Sequence, residues 1–136
     1  MSSASLTPYL YFGGDCRTAM NFYQGVFGGE LSVTTFSDLD SSAPGSLKDK
    51  VMHATLVTDQ FLLMASDDPE GKTNGLGNVR MILHGTDQAL LAGWFNRLAA
   101  DGSVIQALEK QLWGDTYGEL TDRFGMRWMF NLAAGS

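Results

Sequence analysis

Stretches in which apolar and polar residues alternate predict β-strands along much of the chain. They are bounded by glycine, proline, asparagine or aspartate, the residues that usually flank strands. The third and fourth strands are separated only by Asp59–Gln60, a spacing that predicts a hairpin. The four strands predicted in the first half are Thr7–Phe12, Glu30–Phe36, Lys50–Thr58 and Phe61–Ser66.

A helix is predicted between the first two of these strands. Asp15 is placed to cap its N-terminus, and Gly28–Gly29 is placed to end it. The polar segment Ser37–Asp49, which contains Pro44 and Gly45, predicts a loop. The apolar residues that recur with the spacing of one helical face are Ala19, Phe22, Tyr23 and Val26.

The same order of elements begins again at Asn78. A strand over Asn78–Gly85 precedes a helix capped at Thr86–Asp87, and three further strands follow. Leu91, Trp94, Phe95 and Leu98 form the apolar face of this helix, and the later strands are Ser103–Gln111, Tyr117–Thr121 and Met126–Leu132.

One short motif occurs in both halves. Thr58-Asp59-x-Phe61 and Thr121-Asp122-x-Phe124 each stand just before an apolar run. Helix, glycine stop and hairpin follow in the same order around both copies, which indicates an internal repeat. The sequence therefore predicts two copies of one βαβββ module, over about 6–68 and 78–132.

Composition limits the class of protein. The chain has 136 residues, of which 44% are hydrophobic and 18% charged, so we expect one globular domain over residues 1–136. A net charge of −6 without a basic run argues against nucleic-acid and anionic-membrane partners. No apolar stretch reaches the length of a membrane span. The single Cys16 and the absence of a signal-peptide pattern at Met1–Leu10 predict a cytoplasmic location.

Several segments resemble one family. The segment GGDCRTAMNFYQGVFGGEL resembles the helix segment of the vicinal oxygen chelate superfamily, and LTDRFGMRWMF resembles its closing segment. PYLYF, FGG, LMASDD and WGDTYG are similar to its PhnB-like branch, although Arg123 stands where the family usually has proline. The resemblance implies an α+β fold, in which two βαβββ modules form paired U-shaped half-barrels around a cleft (the glyoxalase/bleomycin resistance fold). It also implies a homodimer.

The resemblance also bears on metal binding. Metal-dependent members use one His, Gln or Glu from each of four strands, and the corresponding positions here are Pro8, Met64, Asn78 and Met129. Proline has no donor, a thioether suits copper(I), and asparagine alone is a weak ligand. We therefore expect no metal site and no cofactor, which argues against glyoxalase I and dioxygenase activity.

The resemblance and strand alternation together predict which residues line the cleft. Its apolar part would consist of Pro8, Leu10, Met64, Ile82 and Met129. Its polar part would consist of His53, Thr55, Ser66, Asn78, Arg80, Arg127 and Asn131, and Trp113 would form a loop lid. Mixed linings of this kind are typical of small-molecule pockets.

Each polar candidate has an alternative interpretation. His53 is either a catalytic or ligand-binding residue or a core histidine bonded to backbone. Arg80 and Arg127 either bind an anionic ligand or pair with carboxylates at the rim. Trp113 either covers the cleft or anchors its loop in the core.

Four other polar residues are expected to lie outside the site. The parity of its strand places Glu119 outward, and His84 is expected to face solvent. Asp67 begins a loop and is expected to be solvated. Cys16 is expected to be a buried structural thiol rather than a reactive thiolate.

These observations predict a PhnB-like protein of unspecified activity that binds a small organic ligand without a metal. An alternative is an enzyme of lyase or isomerase type with His53 as general base. A divalent-metal-dependent enzyme whose donors lie at other positions is a further alternative, as is a structural or regulatory dimer.

Overall fold

The computed structural model describes residues 4–71 and 78–134. The chain divides into two compact units, residues 1–73 and 74–136. In the first unit, a four-stranded sheet in the order β1-β4-β3-β2 is accompanied by one long helix. The elements of this unit are β1 (Tyr9–Phe12), α1 (Cys16–Phe27), β2 (Glu30–Thr35), α2 (Phe36–Leu39), β3 (Val51–Val57) and β4 (Leu62–Asp67).

The second unit repeats this arrangement. Its sheet has the order β5-β8-β7-β6, so each unit pairs its first and last strands in parallel and its other neighbours antiparallel. The predicted α+β class and the two βαβββ modules are confirmed, whereas the single-domain organisation stays a prediction. The elements are β5 (Met81–Gly85), α3 (Gln88–Ala99), β6 (Ser103–Lys110), β7 (Thr116–Thr121) and β8 (Arg127–Leu132).

One face of each sheet is buried under the long helix of its own unit. The apolar face of α1 contributes Ala19, Tyr23 and Val26, all buried, and the sheet contributes Leu10 and Leu56. In the second unit, Phe95 of α3 contacts Phe130 of β8 edge to face, with ring centroids 5.2 Å apart. Each fully buried side chain of this size stabilises the fold by about 1.5–3 kcal/mol, so these two interfaces form the cores.

Two local expectations differ from the structure. The predicted loop over Ser37–Asp49 overlaps a short helix, α2, which begins with a capping box between Thr35 and Asp38. The predicted fifth strand is shorter, because β5 begins at Met81 rather than Asn78. Among the described residues, no helix combines the length and the apolar character that crossing a bilayer requires.

The start of α1 depends on a residue that is distant in sequence. Asp15 occupies the N-cap position, as predicted, but its side chain makes no capping hydrogen bond. The carboxylate of Asp67 accepts instead from the backbone N–H groups of Gly14 (3.0 Å) and Cys16 (2.9 Å), and from that of Val51 (2.9 Å). Asp67 is 3% exposed, so the expectation that it is solvated is wrong. Its carboxylate joins the helix start, the end of β4 and the beginning of β3.

The repeated Thr-Asp-x-Phe motif lies at the same hairpin in both units but closes it differently. In the first unit, the Thr58 hydroxyl accepts from the N–H groups of Gln60 and Phe61 across a two-residue loop. In the second, the buried Asp122 carboxylate accepts from the N–H groups of Phe124 and Met126 and from Trp128 Nε1. The threonine therefore organises the first turn, and the aspartate organises the second.

Two glycines mark equivalent positions after the long helices. A Cβ added to Gly29 would lie 2.2 Å from the Val57 carbonyl oxygen, and one added to Gly102 would lie 2.3 Å from that of Thr121. Real Cβ atoms do not approach so closely, and Gly29 also has a φ of +95°. Each unit thus requires a glycine where the chain leaves its helix and passes the end of its own hairpin.

Candidate functional site

Each sheet has a second face, opposite its own helix, which we term its open face. Strand alternation and register assign residues to it. The first open face includes Tyr9, Tyr11, His53, Thr55 and Met64. The second open face includes Ile82, Tyr117, Glu119, Arg127, Met129 and Asn131. Arg80, which directly precedes β5, pairs with Glu119 of this face.

The centre of the first open face has the predicted hairpin register. Thr55 lies opposite Met64 across β3 and β4, and Thr58 N donates to the Phe61 carbonyl oxygen at the turn, 2.9 Å away. Met64 also lies beside Tyr9 in the parallel β1–β4 pair. His53, Thr55 and Met64 are therefore on one face, as predicted, whereas contact with a ligand stays a prediction.

His53 is held by a hydroxyl group on each side of its ring. Its Nδ1 lies 3.3 Å from the Tyr9 hydroxyl, and its Nε2 lies 3.0 Å from Thr55 Oγ1. A neutral imidazole has one donor and one acceptor nitrogen, and a hydroxyl can serve as either partner. This arrangement accommodates both tautomers of His53. The interpretation of His53 as a core histidine bonded to backbone is wrong, because its ring partners are side-chain hydroxyls on the open face.

The exposed Tyr9 adjoins this histidine, and the exposed Tyr11 in turn adjoins Tyr9. The Tyr9 ring lies 5.9 Å from the His53 ring and 5.9 Å from the Tyr11 ring, both between centroids. Tyr9 is 47% exposed and Tyr11 is 53% exposed. The Tyr9–Tyr11 pair is edge to face, a favourable aromatic geometry that leaves ring surface accessible.

The residues of β1 that lie on the open face differ from those that the sequence predicted. Leu10 is 1% exposed and shares the helix-covered face with Phe12, so its assignment to the cleft is wrong. Pro8 is exposed and lies just before β1, and its carbonyl oxygen accepts from Met64 N. Tyr9, not Pro8, stands beside Met64. Ser66 has the parity of Met64, as predicted, but is only 4% exposed.

The second open face carries an ion pair. Arg80 Nε lies 3.8 Å from Glu119 Oε2, and the Tyr117 hydroxyl donates to Glu119 Oε1 at 3.4 Å. Glu119 lies opposite Met129, so the expectation that it points outward is wrong. Burial and the neighbouring Glu119 carboxylate raise the pKa of Tyr117. Of the two interpretations of Arg80, the structure shows pairing with a carboxylate.

The remaining predicted residues of β8 lie on the same open face. Arg127 and Met129 are half-buried, and Met129 lies between Ile82 and Glu119 on the adjacent strands. The Asn131 amide donates to Asp115 Oδ2 at 2.9 Å. This hydrogen bond, together with one from Ala134 N, lowers the pKa of Asp115.

Asn78 and Trp113 also lie outside the strands. Asn78 is exposed and precedes β5 by three positions. Trp113 lies in the turn between β6 and β7 and is 64% exposed, so the interpretation in which it anchors this loop in the core is wrong. His84 is exposed, as expected.

The residues at the family's ligand positions do not fit a divalent metal. The register brings Tyr9 beside Met64 in one sheet and Ile82 beside Met129 in the other. Thioether and hydrocarbon side chains provide no donors suited to zinc, nickel or iron(II), and the single phenol oxygen of Tyr9 falls short of the three or four donors that such an ion needs. Within residues 4–71 and 78–134, no three His, Cys, Asp or Glu side chains are grouped so as to hold a metal ion.

Cys16 is a structural thiol. It is 0% exposed, and burial, followed by the Asp67 and Asp15 carboxylates, raises its pKa to about 12. The helix N-terminus alone would favour the thiolate, but burial and these acidic neighbours outweigh it. The expectation of a buried thiol is confirmed.

Sequence reasoning missed Tyr9 and Tyr11 of the first open face, and Tyr117 and Glu119 of the second. The position of Pro8 in the family resemblance does not reveal which residues of β1 face the helix. The segment Tyr9-Leu10-Tyr11 does indicate the orientation of β1, because a strand covered on one side usually buries its aliphatic residue. Leu10 would then face the helix, and both tyrosines would lie on the open face. Glu119 follows from the register of β7 and β8, which the turn residues 122–126 determine.

Comparison with known proteins agrees with this geometry. The sequence model of the Glyoxalase/Bleomycin resistance protein/Dioxygenase superfamily matches residues 5–130. Protein YjdN of Escherichia coli K12 is 30% identical, covering 93% of this chain and 94% of its own. Protein PA1353 from Pseudomonas aeruginosa has a TM-score of 0.85 at 39% identity, covering 98% of this chain and 100% of its own. The PhnB protein from Bacillus cereus has a TM-score of 0.77 at 25% identity, covering 96% and 100%.

Proposed function

Because the chain belongs to the Glyoxalase/Bleomycin resistance protein/Dioxygenase superfamily, we propose that it binds a small organic ligand on the first open face without a metal ion. The observation that carries this proposal is the position of His53 between two hydroxyl groups and beside the exposed ring of Tyr9. Pockets for small molecules combine apolar and aromatic surface with a few fixed polar groups.

The chemistry of this face supports a proposal for the ligand class. Tyr9 and Tyr11 offer aromatic surface for a planar ring, and Met64 adds a polarisable side chain that adapts to irregular shapes. The Tyr9 hydroxyl, the Thr55 hydroxyl and the His53 ring can each donate or accept a hydrogen bond. The face therefore suits a neutral planar molecule with one or two polar groups, such as a phenol, a quinone or an aromatic amide.

Binding can be tested with the two histidines as a matched pair. We expect at least one compound from a panel of small phenols, quinones and aromatic amides to raise the melting temperature of the parent protein. A ligand at a hundred times its Kd stabilises the folded state by about 2.7 kcal/mol. His53→Ala should abolish this shift, and His84→Ala should preserve it because His84 is exposed on the other sheet.

A third variant distinguishes the contribution of the Tyr9 ring to binding from that of the Tyr9 hydroxyl. Tyr9→Phe keeps the aromatic surface and removes the hydrogen bond to His53 Nδ1. We expect weaker binding than in the parent protein but stronger binding than in His53→Ala. The proposal would be refuted if no compound stabilises the parent protein, or if every stabilising compound acts equally on His53→Ala.

We also propose that the chain forms a homodimer, with the turn between β6 and β7 as part of the interface. At this turn Leu112 is fully exposed and Trp113 is 64% exposed. Exposed large apolar residues at one place often mark an interaction surface. Light scattering should give twice the chain mass for the parent protein, and a smaller mass for the double variant Leu112→Ser/Trp113→Ser.

The control for self-association is Leu39→Ser, which removes an exposed leucine (68%) from the first unit and should leave the dimer intact. A parent protein that is monomeric at micromolar concentration would contradict the proposal.

We propose a cytoplasmic setting for the binding role, since the lone Cys16 cannot form an internal disulfide.

A further inference from the structure

One row of residues on the first open face crosses all four strands of its sheet. Tyr9 of β1 lies beside Met64 of β4, and Met64 lies opposite Thr55 of β3. Thr55 in turn lies opposite Ser32 of β2. Because neighbouring strands are about 4.8 Å apart, this row spans about 14 Å from β1 to β2. The surface beside His53 therefore extends to β2, a strand to which the sequence assigned no site residue.

A second hydroxyl group of β2 stands beside the histidine. Thr34 lies opposite His53 in the antiparallel β2–β3 pair, two residues along the strand from Ser32. Ser32 is exposed and Thr34 is half-buried, so neither is enclosed in the core. Within residues 4–71 and 78–134, neither side chain makes a hydrogen bond or an ion pair. Their hydroxyl groups are therefore available to a ligand.

The sheet departs from regular pairing next to this histidine. Thr34 pairs with His53. The following pair, Thr35 and Val51, leaves Met52 of β3 as an extra residue. Regular alternation would place Val51 on the face of His53, but Val51 is 1% exposed and belongs to the core. Such β-bulges redirect side chains and are over-represented next to active sites, so the position of this one agrees with a binding site at His53.

The two ends of this surface differ in their chemistry. At β1, Tyr9 and Tyr11 expose aromatic rings. At β2, Ser32 and Thr34 carry hydroxyl groups, each of which can donate and accept a hydrogen bond. Glu30 lies on the same face of β2 as Ser32, and its carboxylate repels an anionic ligand. The surface therefore suits a neutral molecule that is aromatic at one end and carries several hydroxyl groups at the other.

We propose that the first open face binds an aromatic ring joined to a sugar, the structure that aryl glycosides and nucleosides share. This inference rests on the proposed binding of an aromatic ligand beside His53 and extends that ligand to β2. The aromatic ring packs against Tyr9. The sugar lies over β3 and β2, and its hydroxyl groups bond to Thr55, Ser32 and Thr34. A sugar hydroxyl is both a donor and an acceptor, so it matches serine and threonine in either role.

Calorimetric titration of the parent protein tests this inference with phenyl β-glucoside and phenol. We expect the glucoside to bind about tenfold more tightly than phenol or better, the scale of two additional hydrogen bonds. Amide NMR signals of Ser32 and Thr34 should move with the glucoside and not with phenol. Both measurements use the parent protein, so they do not depend on any variant folding.

Two further compounds define the ligand more closely. Phenyl β-glucuronide differs from the glucoside by a carboxylate, and we expect it to bind more weakly because of Glu30. Uridine carries a sugar on a different aromatic ring. Tighter binding of uridine than of phenyl β-glucoside would identify a nucleoside ligand, and the reverse preference would identify an aryl glycoside.

Variants of β2 test the sugar end alone. Thr34→Val keeps the shape of the side chain without its hydroxyl and should lower the preference for the glucoside over phenol about fivefold. Thr34→Ser should retain most of this preference, because it keeps a hydroxyl group. Ser32→Ala should act like Thr34→Val. Its matched control is Ser103→Ala, which changes an exposed serine on the edge strand β6 of the other sheet and should have no effect.

The outcomes separate this inference from the binding role proposed above. Phenol that binds as tightly as its glucoside would refute the sugar site and leave binding beside His53 intact. Equal effects of Thr34→Val and Ser103→Ala would do the same. A glucuronide that binds as tightly as the glucoside would refute the preference for a neutral ligand. If neither phenol nor the glucoside binds, both proposals fail.

Discussion

Replacing Asp122 by alanine should lower the free energy of unfolding by about 4 kcal/mol, whereas Asp59→Ala should change it by less than about 0.5 kcal/mol. The two residues occupy the same place in the repeated Thr-Asp-x-Phe motif. Asp122 is 3% exposed and its carboxylate accepts from three N–H groups, which the alanine variant would leave buried without their partner. Asp59 is exposed at the tip of its hairpin.

Urea unfolding followed by circular dichroism measures both changes. The threonines of the motif provide a control, because for them the larger effect is expected in the first turn rather than in the second. Thr58→Ala should cost about 1 kcal/mol, because its hydroxyl accepts two hydrogen bonds in the first turn, and Thr121→Ala should cost less. Equal effects of Asp59→Ala and Asp122→Ala would contradict the assignment of different roles.

Asp67→Ala should be comparably destabilising, by about 4 kcal/mol, because three backbone N–H groups lose their acceptor in a buried position. The comparison is with the residues at the N-cap positions of the long helices. Asp87 accepts from Leu90 N at the start of α3, so Asp87→Ala should cost about 1 kcal/mol. Asp15→Ala should cost about 0.5 kcal/mol or less, since only the helix dipole favours its charge.

The order Asp67, Asp87, Asp15 is the testable result, and thermal or urea unfolding of the three variants gives it directly. Asp67→Asn is informative in addition. Its amide has one acceptor oxygen, so one of the two oxygen positions of Asp67 would present a donor to a backbone N–H. A loss of stability in Asp15→Ala as large as in Asp67→Ala would show that the cap is Asp15 after all.

Much of the fold was predictable because it follows from local signals. The helical face of Ala19 and Tyr23, the glycine at Gly29 and the turn at Asp59–Gln60 each depend on residues near one another in sequence. The repeat then predicted that both units share one sheet order, since two copies of one module need one topology. The helix start was only half predictable, because Asp67, which caps it, lies far from Asp15 in the chain.

The candidate site was less predictable, because it depends on which side chains share a face. His53, Thr55 and Met64 were assigned correctly, since the two-residue turn determines their register. Leu10 was assigned to the wrong face, because β1 pairs in parallel with β4 and no turn connects the two strands. Glu119 was misassigned for a related reason: the second hairpin has one more loop residue than the first. An error of one residue in register reverses every side chain of a strand.

The parallel pairing of first and last strands also bears on how each unit assembles. The hairpins β3–β4 and β7–β8 join segments that are neighbours along the chain, and closing such short loops costs little entropy. Tyr9 and Met64 must instead meet from opposite ends of their unit, as must Ile82 and Met129. We therefore expect the edge strands β1 and β5 to dock late in folding, so that the tyrosine surface beside His53 is completed only when its unit has otherwise formed.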